Sequence, residues 1–442
     1  MVCKLEIVKA LLLLLPWFAA AGVAAQNPIS PMGVYIADPS ARVDRDGRLY
    51  VYGSLDESPD HYCSHAYHVL SSSDLMHWSL HRNVFAWPDI IYAPDLIRSD
   101  STYYLYFENP RGDEFVASAP SPTGPFTDAV RIAGPQQIDP GLFVDTDGQA
   151  YYFWGQFAAK GAKLNPDLRT LDLATQRDSI VSERDHYFHE GSFVVRRGRY
   201  YYFVFADISR RGRPTCLGYA MSTSPMGPYE YKGVIIDNAG CDPETWNNHG
   251  SIVQFGDAWY VLYHRSTHAS RSMRKACIEP IRFNADGTID EVPMTSQGAA
   301  PPLDARSRID GARACLLHGH ARIRLMPGSL RREELGAIRS GDWALWRYLD
   351  FSRGRAARRR SAVRGIDEVA LRLRAQSAAR ITLVADSLGG RELGHIDVEA
   401  AAGWQTVHTR VRAPRGVHAL CLKFEGPSSD ADLLSLDWLQ FR

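Results

Sequence analysis

The chain has 442 residues, with 50 basic and 50 acidic side chains and a formal net charge of zero. A neutral chain gives no reason to expect binding to nucleic acid or to an anionic membrane, because both depend on a surplus of positive charge. The length predicts two or three domains, and an aromatic content of 11% suits β-sheets.

The first 25 residues are typical of a secretory signal. Lys4 and Lys9 supply positive charge, an apolar stretch runs from Ala10 to Ala21, and small residues precede Gln26. This stretch is shorter than the roughly 20 residues that a membrane span needs, and an uncleaved anchor is the alternative. We therefore expect an exported protein, secreted or periplasmic, that is free of the membrane after cleavage.

One phrase then recurs five times at intervals of about 50 residues, which is the length of a β-propeller blade. Each copy is a charged or polar opening residue, an apolar strand, a short turn and an aromatic strand. The strands contain β-branched and aromatic residues around Gly or polar turns, with no helical period. The sequence therefore predicts an all-β fold that begins with a five-bladed β-propeller.

The five opening residues occupy the same place in every repeat. Equivalent positions of a propeller face one axis, so we expect them to converge on a central pocket. Recurring turn residues are the alternative explanation. Like charges raise each other's pKa, which makes such a cluster a candidate functional site. The opening residues are Asp38, Asp95, Asp139, Glu190 and His249.

The end of the propeller is marked by Gly298 to Pro302, because consecutive prolines and small residues cannot continue a sheet. A hairpin over 278–289 is expected to close the ring. We place the propeller at 26–302, a linker at 303–312 and a second domain at 313–442. Seven short strands in that last segment predict a jelly-roll-like β-sandwich.

Cysteine and arginine patterns in the chain are less specific. Six cysteines follow the signal, and export permits disulfides; we expect a mixture of buried thiols and one bridge. Six arginines lie between Arg353 and Arg364. A solvated turn and strand edge is the preferred interpretation of this run, over a polyanion patch, because aromatic residues are not interleaved with it.

Carboxylates gathered in an exported propeller indicate glycoside hydrolysis. One carboxyl must protonate the leaving oxygen, and a second must stay ionised to activate water or to attack directly. The sequence has no Gly-x-Ser-x-Gly elbow, phosphate loop or His-Glu-x-x-His helix that would support another chemistry.

These residues also carry a family resemblance over about residues 30 to 300. The chain resembles glycoside hydrolase family 43 in the order and spacing of six motifs: Ala37-Asp38-Pro39-Ser40, Ala93-Pro94-Asp95-Leu96, Ile138-Asp139-Pro140-Gly141, His189-Glu190-Gly191-Ser192, Asn248-His249-Gly250-Ser251 and Tyr263-His264-Arg265-Ser266. The resemblance implies a five-bladed propeller and hydrolysis with inversion of the anomeric centre.

The resemblance also implies roles for individual residues. Asp38 matches the general base, Glu190 the general acid, and Asp139 the aspartate that modulates the pKa of the acid and orients it. Asp95, His249 and Arg265 match residues that bind substrate or line the pocket. His249 further implies a structural Ca²⁺ ion in the central cavity; no organic cofactor is expected.

The C-terminal part resembles a family 6 carbohydrate-binding module, through Gly341-Asp342-Trp343, Gly403-Trp404-Gln405 and Asp437-Trp438-Leu439 among other segments. Trp404 could stack on a sugar or belong to the core. Leu433 to Ser435 stand where an asparagine is frequent in that family, which leaves sugar binding by this domain open.

Together these features predict an exported inverting glycosidase that releases α-L-arabinofuranosyl or β-D-xylosyl units from hemicellulose. Its partner is a plant cell-wall polysaccharide or oligosaccharide, and we expect a monomer that binds no nucleic acid. A sugar-binding propeller without catalysis is one alternative. A retaining, family 32-like fructosidase is another, and the Asp-Pro-Ser and Ile-Asp-Pro motifs speak against it.

Overall fold

The computed structural model describes residues 26–352 and 365–442. Beyond one short helix, α1 (Glu183–His186), and one 3₁₀ turn (Gly311–Arg313), its regular elements are strands. Strands β1 to β18 are Tyr35–Val43, Leu49–Asp56, Ser64–Ser72, Ser79–Ser99, Thr102–Glu108, Asp113–Ala119, Thr127–Gln136, Gly141–Val144, Ala150–Trp154, Ala158–Leu164, Leu171–Ser182, Phe188–Arg197, Tyr200–Asp207, Cys216–Ser222, Glu230–Asp237, Ser251–Phe255, Ala258–Thr267 and Ser270–Ile281. Strands β19 to β30 are Leu303–Asp304, Ile309–Asp310, Leu316–His318, Arg322–Leu325, Glu333–Ile338, Trp343–Asp350, Glu368–Ala375, Ala379–Ala385, Glu392–Val398, Gln405–Arg410, Val417–Glu425 and Leu434–Phe441.

Strands β1 to β18 form the five predicted blades. β1 to β3 pair in sequence with the first part of β4, and the second part of β4 pairs with β5, β6 and β7. Two four-stranded antiparallel sheets follow, β8 to β11 and β12 to β15, and then a three-stranded sheet, β16 to β18. The all-β propeller is confirmed.

The aromatic strand of each blade explains how the blades pack. Side chains alternate between the two faces of a strand, and each blade is covered on both faces by its neighbours. Tyr151 and Phe153 therefore enter the core shared with the fourth blade, whereas Tyr152 and Trp154 enter the core shared with the second. Five such interfaces, each with its own buried cluster, replace a single central core.

The ring is closed by the N-terminal segment rather than by the predicted hairpin over 278–289. The Ile29 N–H donates to the Ala276 carbonyl on β18 (2.8 Å), and the Asn27 side chain bonds both backbone groups of Ile278. Beyond β18 the hairpin is reduced to a single bridge between Phe283 and Ile289, which packs against the fourth blade.

The C-terminal segment is a sandwich of two six-stranded sheets. The first follows the order β19-β24-β29-β26-β27, with β21 on β24, and the second follows β22-β23-β30-β25-β28, with β20 on β30. All seven predicted strands are present, as β24 to β30. Residues 303–312, expected as a linker, instead supply β19 and β20, because Leu303, Ile309 and Ala312 are buried in the sandwich core.

The sandwich packs on the fourth and fifth blades through a buried interface. Leu345, Val384 and Ala419 of the sandwich share an apolar cluster with propeller residues. Beside it, the Lys275 ammonium lies 2.8 Å from both carboxylate oxygens of Glu333, and both side chains are buried. This contact fixes one sheet of the sandwich against the propeller rim.

Three further expectations concern the cysteines, the signal and the arginine run. The six cysteines of the described chain are all buried free thiols, so the expected bridge is absent there. The signal at 1–25 and the arginine run from Arg353 lie outside the described residues. Within residues 26–352 and 365–442, no helix has the length and apolar character required to cross a membrane.

Candidate active site

One end of the propeller axis opens into a cavity of about 320 Å³. Four of the five opening residues lie in its wall: Asp38, Asp139, Glu190 and His249. We call this space the central cavity. Its remaining lining residues are Tyr62, Cys63, Tyr92, Ala93, Glu108, Ile138, Gln156, His189, Trp246, Asn247 and Arg274.

Irregular backbone turns the opening residues towards the axis. Asp38 and Asp139 have φ angles of 51° and 62°, and Gly191, next to Glu190, has 78°. The strand register shifts at Asp38 and again at Glu190, which marks bulges in β1 and β12. Bulges re-aim side chains, and strained non-glycine residues cluster at functional sites. A regular strand would point these carboxyls elsewhere.

Asp38 is held as a carboxylate. The Arg274 guanidinium donates to its Oδ1 (2.8 Å), and the Ser54 hydroxyl donates to its Oδ2 (2.7 Å). Burial opposes ionisation, but Arg274 and the nearby His264 and His249 outweigh it, so the pKa of Asp38 lies well below its usual range. The carboxylate is therefore available to accept a proton.

Arg274 is itself held in place by a second carboxylate. Its Nε and Nη2 donate to Oδ2 and Oδ1 of Asp56, at 2.9 and 3.0 Å. Both side chains are buried, and a two-point contact of this kind fixes the plane of a guanidinium. Asp56 therefore orients the guanidinium so that the remaining nitrogen, Nη1, donates to Asp38.

Asp139 has the opposite electrostatic surroundings. Burial, followed by the nearby Glu190 and Asp38 carboxylates, raises the pKa of Asp139 well above its usual range. Its Oδ2 is buried and accepts no hydrogen bond from a described residue. Its backbone N–H donates to the buried Glu108 carboxyl. Asp38 and Asp139 are thus carboxyls whose pKa values are driven apart by their surroundings, which is typical of acid–base sites.

Glu190 is oriented by two side-chain amides. Gln156 donates to its Oε2 (2.9 Å), and Asn247 donates to its Oε1 at a longer distance of 3.3 Å. His189 lies 4.0 Å from Oε2. The carboxyl remains partly exposed to the cavity, with 14% of the side chain accessible, so a ligand in the cavity can reach it.

His249 lies in the wall of the cavity, close to two of the carboxyls. Its Nδ1 is 3.7 Å from Asp38 Oδ1 and 4.0 Å from Asp139 Oδ1. Burial is the main cause that lowers the pKa of His249, which favours the neutral ring. A Cβ on Gly191 would lie 3.0 Å from the imidazole, so glycine at this position permits the close approach.

The structure does not bring Asp95 or Arg265 to the central cavity. The carboxylate of Asp95 accepts hydrogen bonds from Arg42, Ser40 and the Leu142 N–H, between the first and third blades. Arg265 is buried against Tyr263 and Glu279 on the far face of the fifth blade. Both side chains have structural partners where they lie.

The side of the strand explains the position of Arg265. Residues paired across an antiparallel sheet share a face, and Arg265 pairs with Lys275, whereas Ser266 pairs with Arg274. Arg265 therefore faces the sandwich with Lys275, and Arg274 faces the cavity.

Sequence reasoning missed Arg274, Glu108 and Asp56, although a signal for the last two exists. The aromatic second strand of a blade ends in a carboxylate at Asp56, at Glu108 and at Asp207. Such a charge after an apolar run is unusual. Glu108 is buried, and burial followed by the Asp139 carboxylate raises its pKa.

The donor set fits calcium poorly. Ca²⁺ takes six to eight oxygen ligands, and the described residues contain no group of three or more His, Cys, Asp or Glu side chains arranged to hold a metal. Near His249, the Oδ2 of Asp139 is a buried carboxylate oxygen without a hydrogen bond from a described residue. The residues present therefore do not form the calcium site that the resemblance implied.

Comparisons with known proteins identify the family of each part of the chain. The model of the Glycosyl hydrolases family 43 matches residues 25–289, and that of the Carbohydrate binding module (family 6) matches 327–442. The chain is 27% identical to the xylosidase/arabinosidase of Thermoclostridium stercorarium, over 91% of this chain and 96% of the relative. It is also 27% identical to the arabinoxylan arabinofuranohydrolase of Bacillus subtilis (strain 168), over 92% of this chain and 90% of the relative.

A solved structure gives the same result for the propeller. A family 43 β-xylosidase/α-arabinofuranosidase from a compost microbial metagenome, in a complex with xylotriose and described as a calcium-free form, is 26% identical. It superposes with a TM-score of 0.54 over 61% of this chain and 99% of that one. The family model covers more than half of the chain, so the protein belongs to glycoside hydrolase family 43 and is a glycosidase.

Proposed function

We propose that the protein is an exported, inverting glycosidase that releases α-L-arabinofuranosyl or β-D-xylosyl units from hemicellulose. One observation carries the proposal: Asp38, Asp139 and Glu190 line one cavity in which Asp38 is held anionic by Arg274. The names of the relatives, a xylosidase/arabinosidase and an arabinoxylan arabinofuranohydrolase, support the two sugars.

In this proposal Glu190 is the general acid. The amides of Gln156 and Asn247 fix the plane of its carboxyl. The weaker contact is to Oε1, which makes Oε1 the oxygen better able to carry a proton towards a glycosidic oxygen. Proton donation to the leaving group is the step that general acids supply, at about 10²- to 10⁴-fold in rate.

Asp38 is the general base. It accepts a proton from a water molecule that attacks the anomeric carbon from the face opposite the leaving group, which inverts the configuration. Arg274 donates to one oxygen of the carboxylate and Ser54 donates to the other. The remaining lone pairs of these oxygens are available to water. Asp139 is the third carboxyl of the cavity, and the nearby Glu190 carboxylate contributes to its raised pKa.

The size of the cavity supports the release of single sugar units. Its volume of about 320 Å³ is near the lower end of the range for ligand pockets, about 300 to 1,000 Å³. A single pentosyl unit suits such a space better than a long chain does. Export follows from the signal-like residues 1–25, and a monomer secreted or held in the periplasm is the form that we propose.

The test uses residues 26–442 with p-nitrophenyl α-L-arabinofuranoside and p-nitrophenyl β-D-xyloside, and Glu190→Ala as the paired variant. We expect release from at least one substrate and its loss in the variant. Proton NMR of the first sugar released from an oligosaccharide should show the inverted anomer. A retained anomer would refute the assigned mechanism, and sugar binding without hydrolysis would favour the non-catalytic alternative.

A further inference from the structure

A second cavity of about 510 Å³ adjoins the central cavity on the side of the sandwich. We call it the side groove. The propeller contributes loops around residues 59–62, 244 and 269–272, and the sandwich contributes Arg322 at the start of β22. The groove is therefore built jointly by the two parts of the chain.

The side groove and the central cavity share walls. Tyr62 lines both of them. Arg271, in the groove, lies with its guanidinium carbon 4.4 Å from the ring centroid of Trp246, which lines the central cavity. A molecule anchored at Glu190 that extends past Tyr62 and Trp246 would enter the groove.

The position of Arg322 is fixed by hydrogen bonds between the propeller and β22. The His268 N–H donates to the Ile323 carbonyl (2.7 Å), and the Leu325 N–H donates to His268 Nε2 (3.1 Å). Burial lowers the pKa of His268 to about 4, so near neutral pH the ring accepts this bond in its uncharged form. The sandwich thus presents Arg322 to the groove in a defined place.

The charged side chains of the groove are not neutralised by salt bridges within the described chain. Arg271 and Arg322 form no ion pair with a described residue, and neither do the carboxylates of Asp60 and Glu244 that line the same space. The Arg322 Nε is buried without a hydrogen-bond partner, and such donors normally have one. Two cations and two anions balance, which suits a neutral ligand with many hydroxyl groups, because a hydroxyl both donates and accepts.

We propose that the side groove binds the sugar units that adjoin the cleaved one, and that the sandwich takes part in substrate binding through Arg322. This inference rests on the proposed function. It makes long or branched hemicellulose chains the preferred substrate, with Arg271 and Arg322 donating to sugar hydroxyls and Asp60 and Glu244 accepting from them. Small aryl glycosides would occupy the central cavity alone.

The test compares a short and a long substrate in Arg322→Ala and Arg271→Ala. The short one is the p-nitrophenyl glycoside that the parent cleaves, and the long one is whichever of arabinoxylan and xylohexaose it cleaves. We expect kcat/KM for the long substrate to fall about tenfold in each variant, mainly through KM, as for the loss of one charge-assisted hydrogen bond. The short substrate should be cleaved as before. Arg410→Ala, an exposed sandwich arginine outside both cavities, is the matched control.

Each other outcome counts against the inference. Equal losses on both substrates, together with a lower melting temperature, would assign Arg322 a structural role; Arg271 is exposed and tests the groove without that risk. Unchanged cleavage of the long substrate in both variants would overturn the inference while the proposed function stands. A parent that cleaves neither substrate would overturn the proposed function and this inference with it.

Discussion

Replacement of Arg274 by glutamine should move the acidic limb of the pH profile of kcat/KM to higher pH. In the parent, Arg274 lies 2.8 Å from Asp38 and holds the pKa of Asp38 well below its usual range. Asp38, the proposed base, is then ionised throughout the working range. Without the guanidinium, burial raises the pKa of Asp38 with less to oppose it, so activity is lost as the pH falls through the new pKa.

The expected shift follows from the geometry. Two unit charges about 3 Å apart interact by about 6 kcal/mol at an effective dielectric constant of about 20, which corresponds to about four pH units. The Ser54 hydroxyl still donates to Asp38, and His264 remains 3.4 Å from it, which offsets part of the loss. We therefore expect the acidic limb to move upwards by about two to four pH units.

The assay is kcat/KM of the p-nitrophenyl substrate between pH 3 and 8, measured with Arg265→Gln as the control. Arg265 is a buried arginine on the same hairpin, but its partner is Glu279. Both variants should lose stability, since breaking a buried pair costs about 3–5 kcal/mol. Only Arg274→Gln should displace the limb. An equal displacement in both, or none in either, would refute the assignment of Arg274 to the ionisation of Asp38.

Three further outcomes are expected. Glu190→Gln should lose far more activity on substrates with poor leaving groups than on p-nitrophenyl glycosides, because an activated leaving group needs little protonation. Asp38→Asn should lose activity on the two kinds of substrate to the same extent. If the two variants showed the same ratio of losses on the two substrates, the assigned roles would be contradicted. Asp95→Asn should lower the free energy of unfolding by about 2–3 kcal/mol and leave kcat unchanged, since Asp95 pairs with Arg42 outside the cavity. A large fall in kcat would show that Asp95 takes part in the active site. Lys275→Met should cost about 3–5 kcal/mol in urea unfolding by leaving Glu333 buried and unpaired, and Glu333→Leu in the same chain should recover part of it; additive losses would show that the pair is not coupled.

Local patterns account for the parts of the fold that were predicted correctly. Runs such as Tyr151 to Trp154 have strand character along their whole length because both faces of a blade are covered. The seven sandwich strands were visible as segments that alternate between apolar and polar residues or run apolar between turns. Repetition then predicted that the opening residues face one axis, which holds for Asp38, Asp139, Glu190 and His249; Asp95 is the exception, because Arg42 and Ser40 hold its carboxylate between blades.

Features that depend on contacts between distant segments were not visible. The short strands β19 and β20 carry too few residues for a periodic signal, and they form because Leu303 and Ile309 reach the sandwich core. Ring closure by Asn27 depends on β18, far along the chain. Lys275 meets Glu333 for the same reason.

The sequence by itself therefore determined the class of chemistry and three carboxyls, because these repeat in a register that the fold must respect. Tertiary structure alone decided which arginine contacts Asp38, the proposed base. Arg265 and Arg274 lie on the two strands of one hairpin, yet strand pairing puts Arg265 with Lys275 on the sandwich face and Arg274 on the cavity face. A shift of one residue in a strand reverses the face of a side chain, so the charge beside Asp38 is fixed by register and not by motif.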